Sequence, residues 1–253
     1  MTEDEYVLSV LSRYQLPTGP NSLAYRAALK LLPAIEEWAD NFLLAVNFSG
    51  SYAKGTGVKG STDVDLFISL APERPGTLKD IYESFYSYLK NKYLLPRRQN
   101  VSVRVIHLAI HIDLVPARKQ PSNTDEHTLF RTKAQTWTQT NVRRHIDLVR
   151  ESGRLNEIRA IKIWRNLNGI EFPSFYLELT VLDALYGKKK DHPAWNVRTV
   201  LEYLSDSFID ARVVDPANPN NIISDDLTLA EKMAVARAAK CSLEKERWEE
   251  IIW

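Results

Sequence analysis

The chain is poor in several things that would otherwise direct its reading. It has a single cysteine, Cys241, so no disulfide can form within the chain, and a reducing cytoplasm is the expected setting. No apolar run approaches the ~20 residues that cross a bilayer. The first residues, Met1-Thr2-Glu3-Asp4-Glu5, are acidic and lack the basic-then-apolar order of a signal peptide. Charge of one sign is also scarce. The net charge is +1, whereas a protein that grips a duplex carries a clear basic excess. That weighs against tight binding to a long nucleic acid but leaves small phosphorylated ligands open, because these need only a local basic cluster. Arg97-Arg98, Arg143-Arg144 and Lys188-Lys189-Lys190 are the candidate clusters, and each one alone reads as solvated surface. Internal repeats and low-complexity segments are missing too.

What remains is an ordinary globular chain of 253 residues, 44% apolar and 26% charged. That is enough for one large domain or two modest lobes. Residues 21–44 read as helix, capped by Asn21 or Ser22 and kinked or split at Pro33. Phe42 to Phe48 reads as a buried strand ending at Ser49-Gly50-Ser51. From Asp63 to Leu70 the pattern alternates: Val64, Leu66, Ile68 and Leu70 face one side of a strand, and Asp63, Asp65, Phe67 and Ser69 the other. Leu78 to Tyr93 has helical periodicity, with Leu78, Ile81, Phe85 and Leu89 on one face. After a break at 96–100, residues 101–115 read as strand, turning near Leu108. The second half is helix-rich, over 156–168, 174–186, 197–205 and 227–253. The expected division is a mixed lobe over 1–150 and a helical lobe over 151–253.

The chemistry concentrates in Ser49-Gly50-Ser51 followed by Asp63-Val64-Asp65-Leu66. Transfer of a nucleotidyl group puts negative charge on the attacking oxygen, the phosphoryl group and the departing pyrophosphate. Two Mg²⁺ ions can clamp those oxygens, and Mg²⁺ prefers carboxylate and water oxygens. Aspartates at i and i+2 on a strand point the same way, roughly 6.5 Å apart along the backbone, so Asp63 and Asp65 can converge on a metal pair. Asp113, in the strand pattern before Val115-Pro116, is the candidate third carboxylate. His111 shares its face, but imidazole is a poor partner for Mg²⁺, so it reads as a neighbour rather than a ligand. Gly50 lets backbone approach a phosphate, turn N–H groups bind anions, and Ser51 adds a hydroxyl. Thr56, Lys59 and Ser61 keep the connection to the acidic strand polar. An Asp-x-Asp alone is often a solvated face and a Gly-Ser alone a turn; their order, with Asp113 after them, is the specific signal.

In this arrangement the sequence resembles the nucleotidyltransferase superfamily built on the DNA polymerase β palm. Gly50-Ser51 is followed after eleven residues by the acidic strand. Gly-Ser-Tyr-Ala-Lys-Gly-Thr over 50–56 is similar to the branch holding oligoadenylate synthetases, bacterial enzymes like cyclic GMP-AMP synthase (the CD-NTases) and archaeal-type CCA-adding enzymes. His111-Ile112-Asp113-Leu114-Val115-Pro116 resembles that branch's third-carboxylate strand. Trp137 with Thr140-Asn141 resembles another of its elements, with Val142 where the family often has Pro. Ile161-Lys162-Ile163-Trp164, Ser174-Phe175-Tyr176-Leu177-Glu178 and Asp215-Pro216-Ala217-Asn218-Pro219 with Asn221 resemble further segments. The resemblance spans about 48–223.

It implies an α+β fold: a mixed-sheet palm with helices, a helical C-terminal lobe, and the active site in the cleft between them. It implies that Asp63 and Asp65 hold two Mg²⁺ ions, with Mn²⁺ able to substitute, and that Asp113 completes the site for the attacking hydroxyl. Ser51 would hold the triphosphate beside Gly50, Lys162 would reach a phosphate, Ser174 would touch the phosphates, and Phe175 would stack on the base where relatives often have Tyr. Lys162 also lies within the apolar arc of its helix, where a lysine either snorkels to the surface or meets an anion. Ser174, after Pro173, fits a helix N-cap equally well.

The activity so implied is metal-dependent, template-independent synthesis of a short oligonucleotide or cyclic nucleotide from NTPs or dNTPs, linked to bacterial antiphage signalling through an effector protein. Two other readings stay open: transfer onto a macromolecule, such as a protein hydroxyl or a tRNA 3′ end, and an inactive nucleotide-binding module. The presence of all three carboxylates argues against the last.

Overall fold

The computed structural model describes residues 1–253 except Ser61, Thr62, Tyr93 and Asn123. The polar Ser61 of the connection and the expected helix end at Tyr93 therefore lie outside the described residues. The chain divides into two compact units: Pro17–Lys54 with Thr62–Ile146, and Met1–Leu16 with Gly55–Ser61 and Asp147–Trp253.

The first unit is a mixed sheet backed by helices. After α1 (Glu3–Arg13), which belongs to the other unit, come in chain order α2 (Leu23–Leu29), α3 (Leu32–Ala39), β1 (Leu43–Ser49), α4 (Gly50–Lys54), β2 (Val64–Leu70), α5 (Leu78–Asn91), β3 (Arg97–Arg98), β4 (Val103–His107), β5 (Ile110–Lys119), β6 (His127–Arg131) and β7 (Thr136–Thr140). The helix expected over 21–44 is two helices. Ser22 caps α2 through a bond from the Tyr25 N–H, and Pro33 sits in the first turn of α3, where its missing N–H costs nothing. Thr77 and Asp80 form a capping box that starts α5.

The strands run in the order β1-β2-β5-β4-β3, with β6 paired to β5 and β7 to β6. β2 and β5 are parallel; the other pairs in this sheet are antiparallel. The alternation read in β2 is realised on its core face: Val64, Leu66, Ile68 and Leu70 are buried with Ile112, Leu114, Val103 and Val105. Ala27, Ile35, Ile81, Tyr82, Phe85 and Leu89 from α2, α3 and α5 close that core. Beyond Asp65 on the opposite face, Phe67 packs with Ala117 and Leu129, and the buried Ser69 hydroxyl bonds the His127 ring at 2.8 Å. The candidate carboxylates sit at one end of one sheet face.

The second unit is helical: α1 (Glu3–Arg13), α7 (Leu155–Leu167), α8 (Ser174–Ala184), α9 (Pro193–Asp206) and α10 (Leu229–Leu243), with a small hairpin of β8 (Val214–Asp215) and β9 (Asn218–Ile222). The division from the first unit falls inside α6 (Val142–Glu151). α9 packs against α1, α7, α8 and α10, around Trp164, Tyr176 and Phe208, all fully buried. Residues 1–16, grouped by sequence with the mixed lobe, pack here instead, through Tyr6, Val7, Val10 and Leu11. The helix expected over 227–253 stops at Leu243. Four charged residues, Glu244 to Arg247, follow, and the chain then returns Trp248, Ile251 and Ile252 to the core.

Candidate active site

Strand register gathers one row of side chains across the sheet. Ser49 of β1 lies opposite Asp65 of β2, Asp65 beside Asp113 of β5, Asp113 opposite Arg104 of β4, and Arg104 opposite Arg97 of β3. Asp63 lies just before β2, two residues from Asp65 and on the same face by strand period. The three carboxylates expected from sequence thus come together in the sheet unit.

Asp65 is strongly perturbed. Burial drives its pKa up to about 7, and repulsion from Asp113 and then Asp63 adds to the rise, while Lys54 and Arg104 oppose it. A carboxylate in this position wants either a proton or a cation close by. Lys54, buried at the end of α4, is one such charge.

Arg104 is the other. Its Nε donates to Asp113 Oδ1 at 2.9 Å, and its Nη2 donates to Asp113 Oδ2 at 2.7 Å and to Asp63 Oδ2. These bonds hold the guanidinium strongly protonated, with the Asp113 bonds as the largest cause. His111 Nδ1 lies 3.5 Å from the other Asp63 oxygen. Sequence reading found the aspartates and missed Arg104. The signal lay in the turn: with Leu108 and Ala109 as its two central residues, His107 pairs with Ile110 and Arg104 falls opposite Asp113.

Gly50 has a local reason to be glycine. Its φ is +55°, and a Cβ there would come 1.8 Å from Asp65 Oδ2 and 2.6 Å from its Cγ. The carboxylate occupies the space that a side chain would need. Gly50 opens α4 directly from the end of β1, so Ser51 stands in its first turn.

The donor chemistry of the aspartates fits Mg²⁺, since every candidate atom is a hard carboxylate oxygen. Among the described residues, however, no group of three or more His, Cys, Asp or Glu is gathered as a metal-holding set. Asp63 and Asp113 turn their oxygens to Arg104 instead.

The remaining sequence candidates lie in the helical unit. Lys162 of α7 is 2% exposed, and the anion it meets is Glu178 of α8, at 2.7 Å. It also donates to the Thr56 hydroxyl at 3.0 Å, which in turn donates to Glu178 at 2.6 Å. Ser174 is not the cap of α8. Pro173 holds that position without a side-chain bond, and the Ser174 hydroxyl accepts from Arg165 Nη1 at 3.1 Å. Phe175 is partly buried against the helical core. Asp215 ties its hairpin by accepting from the Ala217 N–H and the Asn221 side-chain amide.

The chain is 29% identical over 234 residues to the CCA-adding enzyme of Sulfurisphaera tokodaii, a match covering 79% of this chain and 51% of that protein. It thus spans about half the length of this curated relative. No family model matches the chain. Among solved structures it is similar to Bradyrhizobium diazoefficiens CdnG, a CD-NTase in complex with GTP, with a TM-score of 0.80 and 14% identity over 96% of this chain and 91% of that one. It is similar to E. coli MS115-1 CdnC with ATP, with a TM-score of 0.78 and 19% identity over 96% and 91%. The Elizabethkingia meningoseptica CdnE cyclic dinucleotide synthase gives a TM-score of 0.74 and 14% identity over 97% and 100%. The chain therefore shares its fold with these solved proteins.

Proposed function

We propose that the chain is a metal-dependent, template-independent nucleotidyltransferase that joins nucleoside triphosphates into a short oligonucleotide or cyclic nucleotide and releases pyrophosphate. The observation that carries this reading is the parallel pairing of Asp65 with Asp113, with Asp63 beside them, on a fold shared with proteins solved with GTP and ATP. Bound at the aspartates, two Mg²⁺ ions, or Mn²⁺ in their place, would clamp the attacking and leaving oxygens and offset the charge that builds on the phosphoryl group.

In this reading Asp63 and Asp65 would hold both ions, and Asp113, as the third carboxylate ligand, would complete the site for the attacking hydroxyl. Gly50 and Ser51 hold the triphosphate, with the Ser51 hydroxyl donating to a phosphate oxygen. Ser174 and Phe175 supply a phosphate contact and a base platform. A phosphate contact from Lys162 requires its ammonium to exchange Glu178 for the ligand, so its first role is to tie Thr56 to α7 and α8. The substrates are NTPs or dNTPs, the partners a short primer or product and an effector protein that receives it, and the setting the cytoplasm of a bacterium under phage attack. No described helix is long and apolar enough to cross a membrane.

The similarity to a CCA-adding enzyme favours one alternative, transfer to a tRNA 3′ end or another macromolecular acceptor. One experiment separates the two. The protein is incubated with each labelled NTP and dNTP and Mg²⁺, with and without tRNA, and the products are resolved before and after nuclease and phosphatase. Small nuclease-sensitive products without tRNA are expected, and they are expected to vanish in Asp65→Ala and in EDTA. Label entering only tRNA, or only the protein itself, selects the alternative; undiminished synthesis by Asp65→Ala overturns the site.

A further inference from the structure

Arg104 belongs to none of the roles assigned above, yet it makes three hydrogen bonds to the carboxylates. Its planar fork takes both oxygens of Asp113 and one of Asp63. Such a two-pronged guanidinium–carboxylate contact fixes geometry as well as charge, and lysine cannot reproduce it. The pair is sheltered: the Asp113 and Arg104 side chains are 13% and 24% exposed. β4 holds Arg104 in place, because Val103 and Val105 on either side are buried and the ladder sets the residue across from Asp113.

A divalent ion needs the same oxygens. It must approach them to ~2.0–2.1 Å and demands its own coordination directions. Guanidinium and metal cannot hold the same lone pairs at once, so each lowers the occupancy of the other. Three carboxylates within one strand-pair neighbourhood repel one another in the absence of a cation, and Arg104 supplies the charge that lets them stay together.

We propose that Arg104 is an exchangeable internal counter-cation that holds Asp63 and Asp113 until a divalent ion displaces it, and so sets the affinity of the site for that ion. The proposal rests on the reading of the three aspartates as a divalent-cation site. Arg104 here is a positioning residue, acting on the cation through the carboxylates. A site closed by an internal cation binds metal with an affinity reduced by the fraction of time the carboxylates are free. Loading then requires either a high divalent concentration or a ligand that brings the metal with it, which a triphosphate does.

The test measures Mn²⁺ binding to the nucleotide-free whole chain, by the loss of the free-ion electron paramagnetic resonance signal, together with melting in EDTA and in saturating Mn²⁺. A charge-assisted hydrogen bond is worth about one order of magnitude in an equilibrium constant. Arg104→Met is therefore expected to bind Mn²⁺ at least about tenfold more tightly than the wild type, to melt lower in EDTA, and to gain more from Mn²⁺. Arg104→Lys, which keeps the charge without the fork, should fall between and serves if the methionine variant folds poorly. Affinity that is unchanged or weaker in both variants, while the wild type binds Mn²⁺ through Asp65, overturns the proposal and leaves the metal site standing. Binding that is absent from all three proteins, or that survives Asp65→Asn, overturns the metal site itself and the proposal with it.

Discussion

At the scale of single residues, the site is a problem in placing negative charge. Asp65 is a residue whose ionisation the fold resists, through burial first and then through Asp113 and Asp63. The folded protein keeps its proton up to about 7, against an ordinary aspartate value of 3.8. The stability this confers is fully present below the unfolded value and is lost as pH rises through 7. Asparagine copies the protonated shape without the charge. Asp65→Asn is therefore expected to match the wild type near pH 4 and to be more stable at pH 8 in EDTA, by something on the order of 1–4 kcal/mol. Melting curves across that range check it; a variant less stable than the wild type at pH 8 would contradict it. The same substitution should remove nucleotide transfer, so stability and activity would part at one atom. The three aspartates were legible in the sequence because each lies at a fixed period from a neighbour that must be buried. Arg104 and Lys54 were not, because their place at the site comes from cross-strand register and from a helix that packs on β2. Lys162 shows the limit from the other side: periodicity put it in the buried arc of α7, but not that its anion would be Glu178, sixteen residues on.

At the scale of elements, strands whose core face alternates strictly were readable, and those whose register depends on a turn were less so. β2 declared itself by period two. The β4–β5 hairpin announced a turn near Leu108 but not its type. The two central residues, Leu108 and Ala109, have φ of +50° and +61°, the left-handed pair of a type I′ turn, which favours Asn-Gly. Neither residue suits it, and each costs roughly 1–2 kcal/mol relative to a residue at home there. Leu108 is also exposed. Replacing the pair, Leu108→Asn with Ala109→Gly, should raise the unfolding free energy by about 1 kcal/mol or more. Since this turn sets Arg104 opposite Asp113, the replacement should leave Mn²⁺ affinity unaltered. Urea denaturation and the binding measurement together decide it, and a shift in affinity would mean that the turn's strain is transmitted to the site. β6 and β7 went unread as strands because their threonines, Gln139 and a half-exposed Trp137 give no apolar stripe.

At the scale of the whole molecule, the chain builds two cores from interleaved segments. A division near 150 was legible as a change of period from two to 3.6. It could not show that residues 1–16 leave the sheet lobe. α1 has an amphipathic pattern that would suit either unit, and its destination is fixed by contacts remote in sequence. Tyr6 donates its hydroxyl to the Ile252 carbonyl at 3.0 Å, Tyr14 donates to the Trp253 carbonyl at 2.9 Å, and Asp4 accepts from the N–H of Ala194 at the start of α9. Val7 and Val10 are fully buried in the helical core, with Leu11 and Tyr6 nearly so. Burial of such side chains is worth about 1.5–3 kcal/mol each before cavity costs. Removing residues 1–16 would uncover α7, α9 and the returning Ile251 and Ile252 together. The expected result is a lower melting temperature and new binding of a hydrophobic dye by the shortened chain. The sheet unit keeps its own core, from Ala24 to Phe130, in that chain. Amide exchange should therefore accelerate in α7, α9 and α10 and stay slow in β2 and β5; uniform acceleration in both units would mean that the two cores do not hold independently.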